Sequence, residues 1–554
     1  MNKKVCSFPI LFALLALLIG ACAVVFPASA QAAPTSTVSI TVSGTVASSY
    51  DAYQIFSANV VDGDSDAKIA TDLAWASDAV RDAALPVLHS AGMPNSQTTA
   101  QEAAEWLNAD FHLTSALSAQ LARSLQSSDA VPLNAGTASE LPCGYWLIVA
   151  DDDSISQGEA GTAPVMALVG GSAVTVKPKA ATPKVVKHVL EDSTAAWQKA
   201  ADATVADDLY WRLSATVPAG LTAYDTYTVQ FVDTMSAGLD PSKVAASMHV
   251  YVAAGADGDF DAVSTSKDGR VGTDPAKGWT DITAQCATKV ATDGKTFAVR
   301  TGDLIAALGG ADAFTAGARV VAVYNAPLNS ACSHGIAKGN PNEVYLRYPR
   351  SPFADQSGDA GFTRTPSDDA CAYTWDLALT KRGSDGDKPL AGAVLSIADD
   401  RGRTLAADGM WDAEGKATVT TGEDGRVTVS GVDSGKLEVR ELKAPKGYTA
   451  FEGTRSVTVK AEGLDVKQVA AAKPKLTITA ESPLRADSAD GSTGSLEASL
   501  INTPTGTPPS ITTGGFMPST GDMAMYAAAA AAVAGAALIV VALLVKRGGG
   551  SHKE

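Results

Sequence analysis

Short runs in which apolar and polar residues alternate dominate the chain: 37–46, 173–176, 227–232, 319–324, 373–380, 417–429, 436–440 and 473–479. Residues two apart on an extended strand share a face, so this alternation predicts strands with one buried side. The runs are rich in Val, Thr, Tyr and Gly and are separated by turn residues, the pattern of β-sandwiches. One stretch follows the helical period instead. Over residues 98–125, Ala104, Trp106, Leu107, Phe111 and Leu113 recur near helical spacing, with Asn95 and Ser96 as candidate caps. The expected fold class is mostly β: tandem Ig-like β-sandwich domains, the first with a helical insertion.

Two uncharged segments stand outside this pattern. Residues 10–26 follow Lys3 and Lys4 and run into Ala28-Ser29-Ala30, or one step later Ala30-Gln31-Ala32, small-residue cleavage sites that make residues 1–32 an expected secretory signal peptide. Residues 523–545 carry no charge and, at about 1.5 Å per residue, can cross a hydrocarbon layer of about 30 Å. Lys546 and Arg547 follow at once, so a C-terminal transmembrane helix with a cytoplasmic tail is expected. Composition shifts toward Pro, Gly and small polar residues at 177–183, 349–369 and 503–515 mark linkers. They divide the 554 residues into domains at 33–182, 183–352 and 370–505, a linker at 506–516 and a terminal segment at 517–554.

Charge and composition narrow the chemistry. Lys and Arg total 43 against 60 Asp and Glu, a net charge of −17, so no nucleic acid is expected as a partner. Hydrophobic residues make up 46%, too many for a disordered chain. The 6 His residues form no HxxH or HExxH pair, and no GxGxxG, Walker or GxSxG motif occurs, so neither a catalytic metal nor a cofactor is expected. The runs Asp62-Gly63-Asp64-Ser65-Asp66 and Asp257-Gly258-Asp259-Phe260-Asp261 have a spacing that suits Ca²⁺. Both lack the glycine at the sixth position and the flanking helices, so they are read as acidic hairpin loops. Past the signal peptide the cysteines are Cys143, Cys286, Cys332 and Cys371. An exported chain can hold disulfides; Cys286 and Cys332, both in the second domain, are the candidate pair, with free thiols as the alternative.

Strand parity exposes polar residues in apolar rows. Lys187 shares a face with Val185 and Val189, and Lys381 with Trp375, Leu377 and Leu379. Asp233 follows Val229 and Phe231, while Glu441 follows Leu437 and Val439. Asn342 aligns with Val344, Leu346 and Tyr348, and Asn502 with Leu496, Ala498 and Leu500. Each of the two later domains therefore offers an inward lysine, acid and asparagine, in that order. A buried unpaired charge costs several kcal/mol, so a neutral amine beside a protonated acid is the expected resting state. Such an amine can attack the asparagine carboxamide while the acid polarises its oxygen, releasing ammonia and leaving an amide cross-link.

Several motifs carry a resemblance. Phe516-Met517-Pro518-Ser519-Thr520-Gly521, followed by an apolar span and a basic tail, resembles the LPXTG cell-wall sorting signal of Gram-positive surface proteins, with Met517 in the place of leucine. This implies sortase cleavage between Thr520 and Gly521 and transfer of the threonyl group to an amine. The stretch Glu441-Leu442-Lys443-Ala444-Pro445-Lys446-Gly447-Tyr448 is similar to the E-box of Gram-positive pilins, and Lys381 with Pro389-Leu390-Ala391-Gly392-Ala393 to the start of a Cna protein B-type domain. The second domain resembles a fimbrial isopeptide-forming domain. Together these imply two isopeptide triads, Lys381, Glu441 and Asn502, and Lys187, Asp233 and Asn342, with Lys184 and Asn340 as rivals in the second. The first domain looks like the N-terminal domain of major pilins and offers no triad. Against the pilin motif that holds the acceptor lysine, Val174, Val176, Pro178 and Lys179 are kept, but Gly170, Lys177 and Ala180 stand where Trp, Tyr and Asn are usual. Lys179 is the expected acceptor, with Lys177, Lys184 or none as alternatives.

The resemblance implies a major (backbone) pilin, a structural subunit of a covalent pilus shaft anchored to the cell wall. Its implied partners are class C-type and housekeeping sortases, copies of itself, accessory pilins, peptidoglycan and a host ligand. A monomeric wall-anchored adhesin, or a pilus tip or base subunit, is the alternative.

Overall fold

A computed structural model of the chain describes residues 36–506, apart from 45, 65–66, 110–111, 162, 179–181, 220 and 256–277. The expected signal peptide, the acceptor Lys179, the acidic run at 257–261, the sorting motif from Met517 to Gly521 and the transmembrane segment lie outside the described residues.

The alternating runs become six sheets, two to each of three successive sandwiches. In the first sandwich the strand Thr37–Val42 sits between Ala138–Pro142 and Val174–Val176, while Ser49–Asp62 and Gly144–Ala150 form the centre of the facing sheet. Ile40, Val42, Tyr50, Leu133, Trp146 and Ile148 fill the space between them. The other face of the second sheet, through Ile55, Phe56 and Leu147, is covered by three helices, Asp78–Ser90, Ala100–Asn108 and Ser115–Leu125.

The helical insertion expected over 98–125 is thus two helices, and a third precedes it. The caps also differ from Asn95 and Ser96. Thr99 closes a capping box with Glu102, and Thr114 accepts from the amide of Leu117 to start the next helix. Each threonine turns the chain where periodicity alone reads straight through.

The middle sandwich places Val185–Glu191, Tyr210–Thr216, Arg319–Asn325 and His249–Ala253 side by side in one sheet. The other holds Asp368–Tyr373, Asn340–Pro349, Gln230–Met235 and Thr296–Arg300. Trp211, Phe231, Phe297, Tyr324, Val344 and Leu346 are buried between them. The boundary expected at 352 falls later. The expected linker supplies the strand Phe362–Arg364 and the start of Asp368–Tyr373, whose remainder comes from the expected third domain, and both strands pair with Asn340–Pro349. Pro, Asp and Gly there make turns inside a sandwich. The expected strand at 373–380 is in fact two, divided at the buried Thr374, which alone separates the middle sandwich from the last.

In the last sandwich the first strand, Trp375–Gly383, pairs in parallel with the final strand, Ser495–Pro504, in the register Leu379 to Ala498 and Lys381 to Leu500. The facing sheet is built around Val394–Ala398, Gly435–Lys443 and Thr454–Glu462. The expected disulfide is not formed: all four described cysteines are free. Cys286 instead donates to the carbonyl of Ile282, and Cys332 lies 3.5 Å from Nε2 of His334.

Candidate functional site

Period-two alternation carries Lys187 inward on its strand, in the burial pattern of Val185–Glu191. Asp233 and Asn342 come from two paired strands of the opposite sheet, so the lysine reaches across the sandwich. Lys187, Asp233 and Asn342 are each 0% exposed. The Lys187 ammonium is bonded to Oδ2 of Asp233 and donates to the Tyr324 hydroxyl at 2.8 Å. That hydroxyl donates to Oδ2 of Asp233 at 3.1 Å and accepts from Nδ2 of Asn342 at 2.8 Å. The rings of Trp211 and Tyr324 each stand 5.4 Å from Nζ.

Burial dominates the electrostatics. It pushes the Lys187 amine down to about 8, against the attraction of Asp233. It raises the Asp233 carboxyl in turn, opposed by Lys187. Oδ1 of Asp233 and Oδ1 of Asn342 have no hydrogen-bond partner, two acceptors left open in a dry interior.

The rivals take other places. Lys184 is exposed. Asn340 is buried, but its side chain is committed to the backbone of Ser333 and Ala372.

In the last sandwich Lys381 and Asn502 lie on the paired first and last strands, and Glu441 on the facing sheet. Nζ of Lys381 is 3.4 Å from Oε1 of Glu441 and donates to the carbonyl of Leu500 at 3.3 Å. Nδ2 of Asn502 donates to both Glu441 oxygens, at 2.9 and 3.0 Å, and the Phe451 amide donates to Oε2 at 3.1 Å. Burial again lowers the lysine to about 8, with Glu441 opposing. Oδ1 of Asn502 has no partner, as at the other site.

A third group of the same residue types shows what burial contributes. Lys243 and Asn325 both donate to Oδ1 of Asp208, at 2.7 and 2.6 Å. Yet the Lys243 and Asp208 side chains are 45% and 55% exposed.

Parity missed Tyr324. A tyrosine in an apolar row is an ordinary interior residue, and only its hydroxyl, aimed at the trio, sets it apart. In the first sandwich Lys68 bonds Asp62, Gly170 and Ser172 near the surface. Among the described residues no group of three or more His, Cys, Asp or Glu is placed to hold a metal ion.

The last sandwich is of a recognisable class: residues 376–473 match the SpaA prealbumin-like fold domain. Among individual proteins, the chain is similar to the trypsin-resistant surface T6 protein of Streptococcus pyogenes serotype M6, 30% identical over 143 residues, 24% of this chain and 24% of that one. The match thus spans about a quarter of the length of that curated relative. Among solved structures, the T6 backbone pilin of serotype M6 Streptococcus pyogenes aligns with a TM-score of 0.45 at 17% identity, over 86% of this chain and 100% of the other. The major pilin SpaD from Corynebacterium diphtheriae aligns with a TM-score of 0.41 at 14% identity, over 86% and 99%.

Proposed function

We propose that this protein is the structural subunit of a covalently polymerised pilus shaft on a Gram-positive cell surface, its middle and last sandwiches locked by self-formed amide bonds. The observation that carries this reading is the pair of buried lysine, acid and asparagine trios, each of which brings the lysine of its sandwich's first strand beside an asparagine on one of its last strands. Neutral Nζ of Lys187 attacks Cγ of Asn342, and the protonated Asp233 donates to the carbonyl oxygen as negative charge develops there. The Cγ–Nδ2 bond then breaks, one proton passes from Nζ to the departing nitrogen, and ammonia leaves. Lys381, Glu441 and Asn502 follow the same course. The product replaces a desolvated amine with an amide, so burial favours the reaction.

Polymerisation is assigned to sortases acting on Met517, Pro518, Ser519, Thr520 and Gly521, with Lys179 of the next copy as acceptor and peptidoglycan as the final anchor. Intact-mass measurement of the exported protein tests the bonds. Loss of two ammonia equivalents is expected, one abolished by Lys187→Ala and the other by Lys381→Ala. A denaturing gel of cell-wall extract tests the shaft: a ladder that survives boiling is expected, and a single band from a normal extraction would refute it.

A second reading, a monomeric wall-anchored adhesin or a tip or base subunit, is favoured by one position. Gly170 stands where the pilin motif has tryptophan, its φ is 146°, and a Cβ there would lie 2.3 Å from Cβ of Val60. Polymerisation that persists after Lys179→Ala would remove the assigned acceptor.

A further inference from the structure

We propose that Tyr324 is a fourth catalytic residue of the middle site, relaying a proton from the attacking nitrogen to the leaving one. The inference rests on the amide-bond reading above. Among the described contacts, one hydroxyl oxygen touches both nitrogens that exchange places in the reaction: Nζ of Lys187 at 2.8 Å and Nδ2 of Asn342 at 2.8 Å. Its own proton points to Oδ2 of Asp233 at 3.1 Å. Tyr324 is 0% exposed, and its ring is fixed edge-on against Phe297 with centroids 4.8 Å apart.

The balance of the reaction needs such a group. A neutral amine and a carboxamide become a secondary amide and ammonia, so Nζ gives up one proton and Nδ2 gains one while no electron changes hands. In the resting state Nδ2 is a planar donor and cannot accept. Once Cγ is tetrahedral, Nδ2 carries a basic lone pair. The phenol then rotates from Asp233 to Nδ2, donates its proton there and takes the surplus proton from Nζ. Asp233 is left to its other task, holding the proton that stabilises the oxyanion. Burial keeps the phenol protonated, as a relay of this kind requires. Among the described contacts no tyrosine touches the last trio: Glu441 contacts the lysine and the leaving nitrogen itself. One chain therefore contains a relayed and an unrelayed version of the same reaction.

The test uses the full chain made by cell-free synthesis, quenched in denaturant at intervals and digested. The joined peptides bearing Lys187 with Asn342, and Lys381 with Asn502, are then counted by mass spectrometry. Tyr324→Phe keeps the ring and removes the relay. The middle bond is expected to form roughly a hundredfold more slowly, while the last forms at the unaltered rate. Formation of the middle bond at the unaltered rate overturns the inference and leaves the amide-bond reading standing. Absence of the Lys187–Asn342 peptide from the unsubstituted chain overturns that reading itself. If the Tyr324→Phe middle sandwich loses protease resistance, chains made with 3-fluorotyrosine decide. A more acidic phenol should shift the pH profile of the middle bond alone, and an unchanged profile at both sites refutes the relay.

Discussion

Lys187 and Asp233 share one proton in a dry site, so their titration belongs to the pair. The reactive state carries a single proton, as a neutral amine beside a protonated acid or as the ion pair in equilibrium with it. Above about 8 that proton leaves, and in acid a second one arrives and blocks the amine. Bond formation in the middle sandwich is therefore expected to follow a bell-shaped pH profile with its alkaline limb near 8, measured by intact mass after timed quenching. The trio of Lys243, Asp208 and Asn325 has comparable hydrogen bonds, but its lysine and acid are exposed to water. It should stay uncondensed at every pH, and a third missing ammonia that maps to Lys243 would show that proximity alone suffices. Strand parity located all six trio residues because a charged side chain in an apolar row is costly wherever the row is buried. It passed over Tyr324 because tyrosine raises no such alarm.

At the scale of elements, the two proposed bonds would differ in direction. The middle one spans the sandwich from one sheet to the other, whereas the last joins neighbouring parallel strands of one sheet. Each would close a loop of more than a hundred residues, for which cross-linking is worth about 4.7 kcal/mol in the chain-entropy account. Lys381→Ala should lower the stability of the last sandwich by about that amount in calorimetry and leave the middle transition in place. Strands were legible from the sequence because period two persists from turn to turn. Their ends were less so. The break between the helices depends on the threonine caps Thr99 and Thr114, and the strands at Phe362–Arg364 and Asp368–Tyr373 sit in a composition that otherwise marks linkers.

The whole molecule is joined by dense contacts between successive sandwiches. Arg123, on the last helix of the first, donates to the carbonyls of Ala223 and Pro352 in the middle one. Arg403 of the last sandwich binds both oxygens of Asp207. Beside that pair lie Glu191, Asp192 and Asp202 of the middle sandwich and Asp433 of the last, with Arg401 3.6 Å from Asp192. Trp375 and Ser434 both donate to Asp202. Burial raises Glu191 to about 7, and Asp192 and Asp433 are raised as well. A carboxyl whose folded pKa is raised stabilises the folded arrangement below its unfolded value and loses that contribution as pH rises through the folded one. The joint between the two sandwiches should therefore loosen between pH 4.5 and about 7. The protection factors of the Ser434 and Asp202 amides, exchange rates corrected for their intrinsic rise with pH, should fall across that range, and constant protection would contradict it.

Thr374, the single residue between the last two sandwiches, has a further consequence. With both amide bonds formed, a continuous covalent route runs from Lys187 to Asn342, along the backbone through Thr374 to Lys381, and on to Asn502. Residues 188–341 and 382–501 become side branches of that route. A single proteolytic nick within either branch should leave the chain unsevered, while a cut between Asn342 and Lys381 parts it.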